Sequence, residues 1–415
     1  MRVLVANDLY GTSSAAGVAV RMARGLAGRG HEVAFLATVQ DPGAARRLRD
    51  EGVEVRLEPT PAYPLRWRAW RSLDNPAGVE AMARVVEAVR PDVVHVHNLH
   101  IHLSYAALTR ARAMGAPTVL HVHDIMPVCH TKMFCFLDER LEPGDPVAYR
   151  AGPVKCPLCV RLRYNPLRNR TIRRVLARDV TRLVAVSPQM ADALAQNGIG
   201  PATPIPNGLD PTGGQAAPER VEALRRRLGL EGRRVVMCGG RIDRLKGGLE
   251  LVRAMEVVRR RVPDAALLCV GQTLPGFWEE MVALAGRLGM PSALVPAGWL
   301  DGEDLAAAYQ VADVVCSPSR CFESFGLVNA EAMRAGRPVV ASFFGGPSDV
   351  VVDGETGYLV NPERVPMLAD RLLAVLTDRE RARRMGAAGR RRIERCFSLE
   401  RHLDAVEALY AELAP

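Results

Sequence analysis

Lysine is nearly absent from this chain. Lys132, Lys155 and Lys246 are its only lysines, and the other 52 of its 55 basic residues are arginine. So strong a bias is expected from base composition acting on codons, and by itself it signals no partner. No apolar run approaches the roughly 20 residues that cross a bilayer, which argues against a spanning helix. The first apolar run, near Arg2–Ala6, meets Asn7 and Asp8 at once, whereas a secretory signal needs a longer apolar core. A cytoplasmic chain with reduced thiols is therefore expected. Short-period repeats and low-complexity tracts are missing, and what recurs is an alternation of strands and helices.

What remains is an ordinary globular mixture, 48% hydrophobic and 24% charged, over 415 residues. That length exceeds one ordinary core and suggests two or three domains. The charge is unevenly spread. Residues 1–206 hold 27 basic and 18 acidic side chains, while residues 207–415 hold 28 of each. The whole excess of +9 thus sits in the first half. It fits an anionic partner or a membrane surface there, or simply a soluble, arginine-rich face.

Short β-branched runs alternate with helical-period stretches. The first set begins at Arg2, Glu32, Val53, Asp92, Thr118 and Arg182, and the second at Arg234, Ala265, Ala293, Val314 and Pro338. Such strands read as parallel and covered by helices on both faces. Between the sets, Pro211–Pro218 has a linker composition. Two doubly wound α/β domains in tandem follow, over 1–208 and 209–395. A final amphipathic helix in 396–415 has Leu403, Val406, Leu409, Tyr410 and Leu413 on one face, able to dock on either domain. A 57-residue connection separates Asp124 from Arg182, and its cysteine-rich part, about 125–170, is the kind of long loop that carries function.

The most informative stretch is Ser317–Val360. Glu323 and Glu331 have seven residues between them, and Phe325–Gly326 falls at a strand-to-helix turn before a helix expected over Leu327–Arg334. Free amides at that helix start suit an anion, and carboxylates suit sugar hydroxyls. This stretch resembles the E-x7-E signature of retaining glycosyltransferases of family 4, which have the GT-B fold of two Rossmann-like domains facing across a cleft. The segment from Gly240-Arg241 to Lys246-Gly247 resembles the family's diphosphate loop. Gly345-Gly346-Pro347, Asp353-Gly354 and Thr356-Gly357 match its later turns. In the first half, Arg29–Val33, Asp92–His97, His123-Asp124, Val186-Ser187 and Pro206–Gly208 fit its usual course.

The resemblance implies a nucleoside-diphosphate-sugar donor and a hydroxyl acceptor, for which an anionic or lipid-linked molecule is one candidate. It gives Arg241 and Lys246 the diphosphate, as a bidentate fork and a point charge. Glu331 takes the ribose hydroxyls. Glu323, with the amides near Phe325, Gly326 and Leu327, takes the transferred sugar, and His123 reaches that sugar too. Catalytic roles thus fall to His123, Glu323, Arg241 and Lys246, with Gly240 in the diphosphate loop. The family has adjacent glycines after the first strand. This chain has Gly11 followed by Thr12, Ser13 and Ser14, and Gly11 is placed at the donor site. His95 and His97 are expected to serve structure, with at most one facing a cleft. His100 and His102 fall in the next loop, within reach of an acceptor. Asp-x-Asp is missing, so no cofactor is expected for catalysis, and the reaction is same-face displacement with closure of the domains as its gate.

The insertion holds Cys129, Cys135, Cys156 and Cys159, with His130 nearby. Cys156–Cys159 is a C-x2-C, so one structural zinc on the four thiols is one reading and free thiols the other. Arg66–Arg71 (RWRAWR) is either an acceptor- or lipid-facing segment or a surface helix packing its tryptophans inward, with the second preferred. Peripheral contact with a membrane through the basic first domain fits the charge. No aromatic-basic module for nucleic acid is present. Two rival functions stay open, a nucleotide-sugar epimerase and a non-catalytic nucleotide-sugar-binding protein.

Overall fold

The computed structural model describes residues 1–11, 14–210 and 213–413. Thr12, Ser13 and the start of the linker at Pro211 and Thr212 lie outside the described residues, as does the side chain of Ser14. The chain forms two compact units. The first comprises Met1–Met133, Ala148–Gly208 and Leu399–Pro415, and the second comprises Phe134–Val147 and Leu209–Ser398.

The first unit holds an eight-stranded sheet: β1 (Arg2–Ala6), β2 (Glu32–Val39), β3 (Arg46–Asp50), β4 (Val53–Pro59), β5 (Val93–Val96), β6 (Thr118–Val122), β7 (Arg182–Ala185) and β8 (Thr203–Pro204). Its order is β3-β4-β2-β1-β5-β6-β7-β8. The strands are parallel except β3, which pairs antiparallel with β4 at the edge. The sequence RRLRD gives no apolar signal for β3, and a charged edge strand of this kind resists pairing with other chains. Val3 sits beside Val33 on one side and Val93 on the other, so β1 is central.

The second unit holds a six-stranded parallel sheet: β9 (Val235–Gly239), β10 (Ala266–Val270), β11 (Leu294–Gly298), β12 (Val314–Ser317), β13 (Val339–Ser342) and β14 (Gly357–Val360). The order is β11-β10-β9-β12-β13-β14. Its strands are four or five residues long and mostly buried on both faces, as expected when helices cover both sides.

The last helix, Leu399–Ala411, joins the first unit. Leu403, Val406, Leu409 and Tyr410 pack into the core formed by Val3, Phe35 and Met22. Gly25 makes room, since a Cβ there would stand 2.6 Å from Leu403 Cδ1. Arg29 pins the helix from outside by ion pairs to Glu400, Asp404 and Glu407.

The long connection after Asp124 is divided. Residues 134–147 belong to the second unit, where the buried Asn361 amide donates to the carbonyls of Asp138 (2.8 Å) and Leu141 (2.9 Å). Phe136 meets Phe344 edge-on at 4.9 Å. The rest returns to the first unit. Tyr149 N donates to Gln196 Oε1 (2.9 Å), and the helix Arg168–Asp179 completes the connection. Buried amides and one helix therefore supply the order that loop length alone would not.

Candidate functional site

In the second unit the polar residues cluster where β9 and β12 end. Gly239 and Gly240 leave β9 against Val328 at the start of the helix Leu327–Arg334, with ideal Cβ positions 3.4 and 3.7 Å from the Val328 methyls. Asp243 caps the short turn Arg244–Lys246, accepting from Lys246 N at 2.8 Å, and also holds Arg241 Nε at 2.8 Å. Gly247 follows at φ +75°, its Cα facing the carbonyl of Pro318, which a Cβ would approach to 2.0 Å. Only glycine lets the Lys246 loop seat against the end of β12.

That seating brings Lys246 Nζ into an ion pair with Glu323. Ser319 Oγ donates to the same carboxylate oxygen at 3.1 Å. Burial works against the Lys246 charge, but Glu323 outweighs it and raises the ammonium pKa above its usual value. The Glu323 backbone is fixed as well: its N–H donates to Phe344 O (3.1 Å) and its carbonyl accepts from Gly346 N (2.7 Å). Gly345, at φ +90°, allows this, since a Cβ would come within 2.3 Å of that carbonyl.

Gly326, at φ +84°, opens the helix Leu327–Arg334, and no side chain caps it. The amides there are free to meet an anion. One turn in, Glu331 accepts from Tyr309 OH at 2.7 Å. Burial, followed by Glu331, pushes the Tyr309 phenol well above its ordinary range, so it stays a donor. Ser317 Oγ bonds Asn329 Oδ1 at 2.5 Å on the same helix. Phe325 is buried and packs its ring edge on Phe397 at 5.7 Å, which leaves its backbone as the part a ligand can use. The structure thus joins Lys246 to Glu323, and sets Arg241 and Glu331 on elements packed with them. Tyr309, Ser319 and Asp243 were not singled out from the sequence. Of these, Asp243 carried a signal, an aspartate three residues before Lys246, the spacing of a cap.

In the first unit a second polar cluster lies at the ends of β1, β5 and β6. His95 lies on β5 and His97 just past its end, two residues apart along extended backbone, so both face the same side, not opposite sides. Their rings stack at 4.8 Å with a 9° tilt. His121 on β6 and His123 just after it repeat the spacing, and His402 of the last helix stacks on His121 at 5.8 Å. His97 Nδ1 and His123 Nε2 share a hydrogen bond of 2.6 Å, and His95 Nδ1 meets Tyr410 OH at 2.6 Å. Burial, ahead of the neighbouring groups, drops His95 and His123 to about 3 and His402 to about 4. All three are neutral near pH 7.

Beside them His100 Nε2 pairs with Asp124 Oδ2 at 2.9 Å. Burial opposes the charge on His100, but Asp124 prevails and raises its pKa. The buried Asp8 carboxylate accepts three amides, from Ile101, His102 and Leu103, each at 2.8 Å. Asp8, His100 and Asp124 therefore fix the loop that follows β5 around a small cavity lined by His97, Asn98, His123 and Tyr105. Gly11 stands after β1 with nothing within 4 Å of where a Cβ would be, so packing does not demand glycine there.

Among the described residues, the one group of three or more metal-type side chains lying close together is His95, His97 and His121. Their rings are stacked within 29° of parallel, so their lone pairs do not converge on one point as tetrahedral coordination needs. The four cysteines form no such group. Cys156 and Cys159 lie on the short helix Lys155–Val160, Cys129 is half-buried, and Cys135 is exposed in the segment that joins the second unit. The zinc reading gains no support from this placement, because hydrogen bonds already order the connection.

Two family models match the chain. Glycosyl transferases group 1 matches residues 220–392, and the glycosyl transferase 4-like domain matches residues 15–208. The GDP-mannose-dependent alpha-(1-6)-phosphatidylinositol monomannoside mannosyltransferase of Mycolicibacterium smegmatis is 36% identical over 192 residues, which are 45% of this chain and 50% of that protein. The D-inositol 3-phosphate glycosyltransferase of Nocardia farcinica is 39% identical over 188 residues, 44% of this chain and 41% of that protein. The chain spans about half the length of the curated relatives it matches. Among solved structures, Anabaena Alr3699/HepE in complex with UDP and glucose superposes with a TM-score of 0.75 at 20% identity, over 99% of this chain and 100% of that one. Sucrose-phosphate synthase from Thermosynechococcus elongatus gives 0.78 at 21% identity, over 100% of this chain and 99% of that one. The chain belongs to the group 1 glycosyltransferases, with a glycosyl transferase 4-like first domain, and its fold is GT-B.

Proposed function

We propose that this chain moves a sugar from a nucleoside diphosphate to a hydroxyl of a phosphorylated polyol acceptor, retaining the anomeric configuration and needing no divalent ion. The observation that carries this reading is the Lys246–Glu323 ion pair beside the uncapped helix start at Gly326. A donor diphosphate would draw Lys246 and the helix amides to itself and release Glu323 to accept hydrogen bonds from the transferred sugar. Arg241 adds a fork to the diphosphate. Glu331, oriented by Tyr309, receives the ribose hydroxyls. His123, neutral, offers a hydrogen bond to the sugar without adding charge.

The acceptor oxygen attacks the anomeric carbon on the face the diphosphate leaves. The carbon–oxygen bond to phosphate breaks, and the acceptor proton passes to the departing phosphate oxygen. No protein nucleophile is used. The protein supplies position and charge for the leaving group. Neutralisation by Arg241, Lys246 and the helix start takes the part a metal plays elsewhere. For the acceptor, the names of both relatives specify an inositol bearing phosphate, and the excess of positive charge in residues 1–206 suits such an anion. A membrane-attached acceptor would place the chain at a bilayer face.

A thermal-shift panel of UDP-, GDP-, ADP- and dTDP-sugars tests the donor half. One nucleotide class should raise the melting temperature by about 5–10 °C at 100-fold excess over Kd, and Lys246→Ala should cut that shift to about half or less. No shift with any of them would overturn the reading. Donor offered without acceptor separates an epimerase, which would convert it to an epimer.

A further inference from the structure

Thirteen large hydrophobic side chains stand exposed among the described residues, and seven of them fall in two short segments of the first unit. One segment supplies Leu65, Trp67 and Trp70, exposed by 64%, 51% and 47%. The expected inward packing of these tryptophans does not occur. The other supplies Val154, Leu158, Leu162 and Leu167, of which Leu162 is wholly exposed. The segments are far apart in sequence but neighbours in the fold. Asn165 Nδ2 donates to Ala69 O at 3.1 Å, and Arg68 donates to His130 O at 3.0 Å, whose ring in turn lies 5.2 Å from that of Tyr164.

The charge of the same segments is of one sign. Residues 59–73 hold three arginines and no acidic residue, and residues 146–178 hold nine basic residues and no acidic one. Arg66, Arg71, Arg161 and Arg163 are exposed beside the apolar side chains. Water-exposed leucines and tryptophans are unfavourable unless something covers them. Tryptophan rings settle at the level of lipid headgroups, and arginines beside them meet lipid phosphates.

We propose that this surface, built by the segments at 65–71 and 154–167, docks the first unit on an anionic lipid bilayer. Leucine and tryptophan side chains enter the headgroup boundary, and the arginines bind anionic headgroups. Charge complementarity selects the occupant: a nucleic acid would answer the arginines but leave Leu158 and Leu162 uncovered. The surface depends on no step of sugar transfer.

Flotation of the full chain with vesicles decides the matter. It should float with phosphatidylcholine vesicles containing phosphatidylglycerol, stay behind with phosphatidylcholine alone, and lose binding as salt rises. Each of Arg66→Glu and Arg163→Glu should weaken partitioning by about fivefold or more, since one surface cation is lost and an anion gained. Trp67→Ser combined with Leu162→Asp should abolish flotation. The same variants should keep the wild-type circular dichroism and the wild-type thermal shift with the donor, which excludes misfolding as the cause. Absence of flotation, equal flotation with neutral vesicles, binding of duplex DNA without vesicles, or a dimer lost in Trp67→Ser would each overturn the proposal. Failure here leaves the donor shift untouched, and failure of the donor shift leaves flotation untouched.

Discussion

Where β5 and β6 end, the first unit stacks four histidines and a fifth from the last helix, and burial keeps them uncharged. Where β9 and β12 end, the second unit instead sets charges in pairs: Arg241 with Asp243, and Lys246 with Glu323. The sheets share one parallel plan, yet their polar groups are held by different forces. In the first unit burial strips charge away and the rings orient each other. In the second, opposite charges offset the burial of each other, and glycines bring the loops close enough to pair. A neutral cluster suits a hydroxyl-bearing ligand, and a cluster of exchangeable ion pairs suits a diphosphate that takes the place of one partner.

The comparison breaks most sharply at Glu323. Removing it as Glu323→Ala should lower turnover by about 10²–10³, the loss typical of a group that orients a reacting substrate, with a smaller change in nucleotide affinity. Steady-state kinetics with nucleotide competition separates the two, and an unchanged kcat contradicts the assignment. Next come Lys246→Ala and Glu331→Ala, which should each weaken nucleotide-sugar binding by about 1.5–3 kcal/mol. Calorimetric titration checks this, and wild-type affinity in both variants would refute a charge-paired donor site.

The first unit should respond to acid. A histidine whose folded pKa is depressed gives stability that is complete above its unfolded pKa, near 6.5, and is lost as pH falls toward its folded value. His402, at about 4 when folded, should therefore cost about 1 kcal/mol of stability between pH 7.5 and 5.5. His100, raised by Asp124, acts in the opposite direction. Denaturant unfolding at the two pH values should show a smaller pH difference in His402→Gln than in the wild type, and an equal difference refutes the argument. The smallest effect is expected from Tyr309→Phe, which leaves Glu331 charged but removes one donor. Donor affinity should fall by under about 1 kcal/mol, read from the same titrations.

Much of this was legible in the sequence because period and turn chemistry are local. The strand at Val314–Ser317, the αL glycine Gly326 and the helix Leu327–Arg334 follow from β-branched residues, a glycine and a proline at Pro338. The edge strand β3 was not legible, since its arginines mask a strand that only pairing with β4 reveals. Tyr309 was hidden for another reason: it lies 22 residues before Glu331, and only the packing of β12 and its helices brings the two together. His95 and His97 were visible, but their shared face was misread, and their stacking depends on His121 and His402, which lie far off in the chain. The exposed tryptophans could not be known from RWRAWR alone, because period does not say which face finds a core.

Retaining transfer from an activated donor is tested most directly by the anomeric configuration of the product. Once the thermal-shift panel has named the donor, transfer to an inositol phosphate acceptor can be followed by proton NMR as the reaction runs. Retention requires that the new glycosidic anomeric proton appear with the donor's configuration, without added divalent metal and without a free-sugar intermediate. An inverted anomeric proton, or nucleotide released with no new glycoside formed, would contradict it.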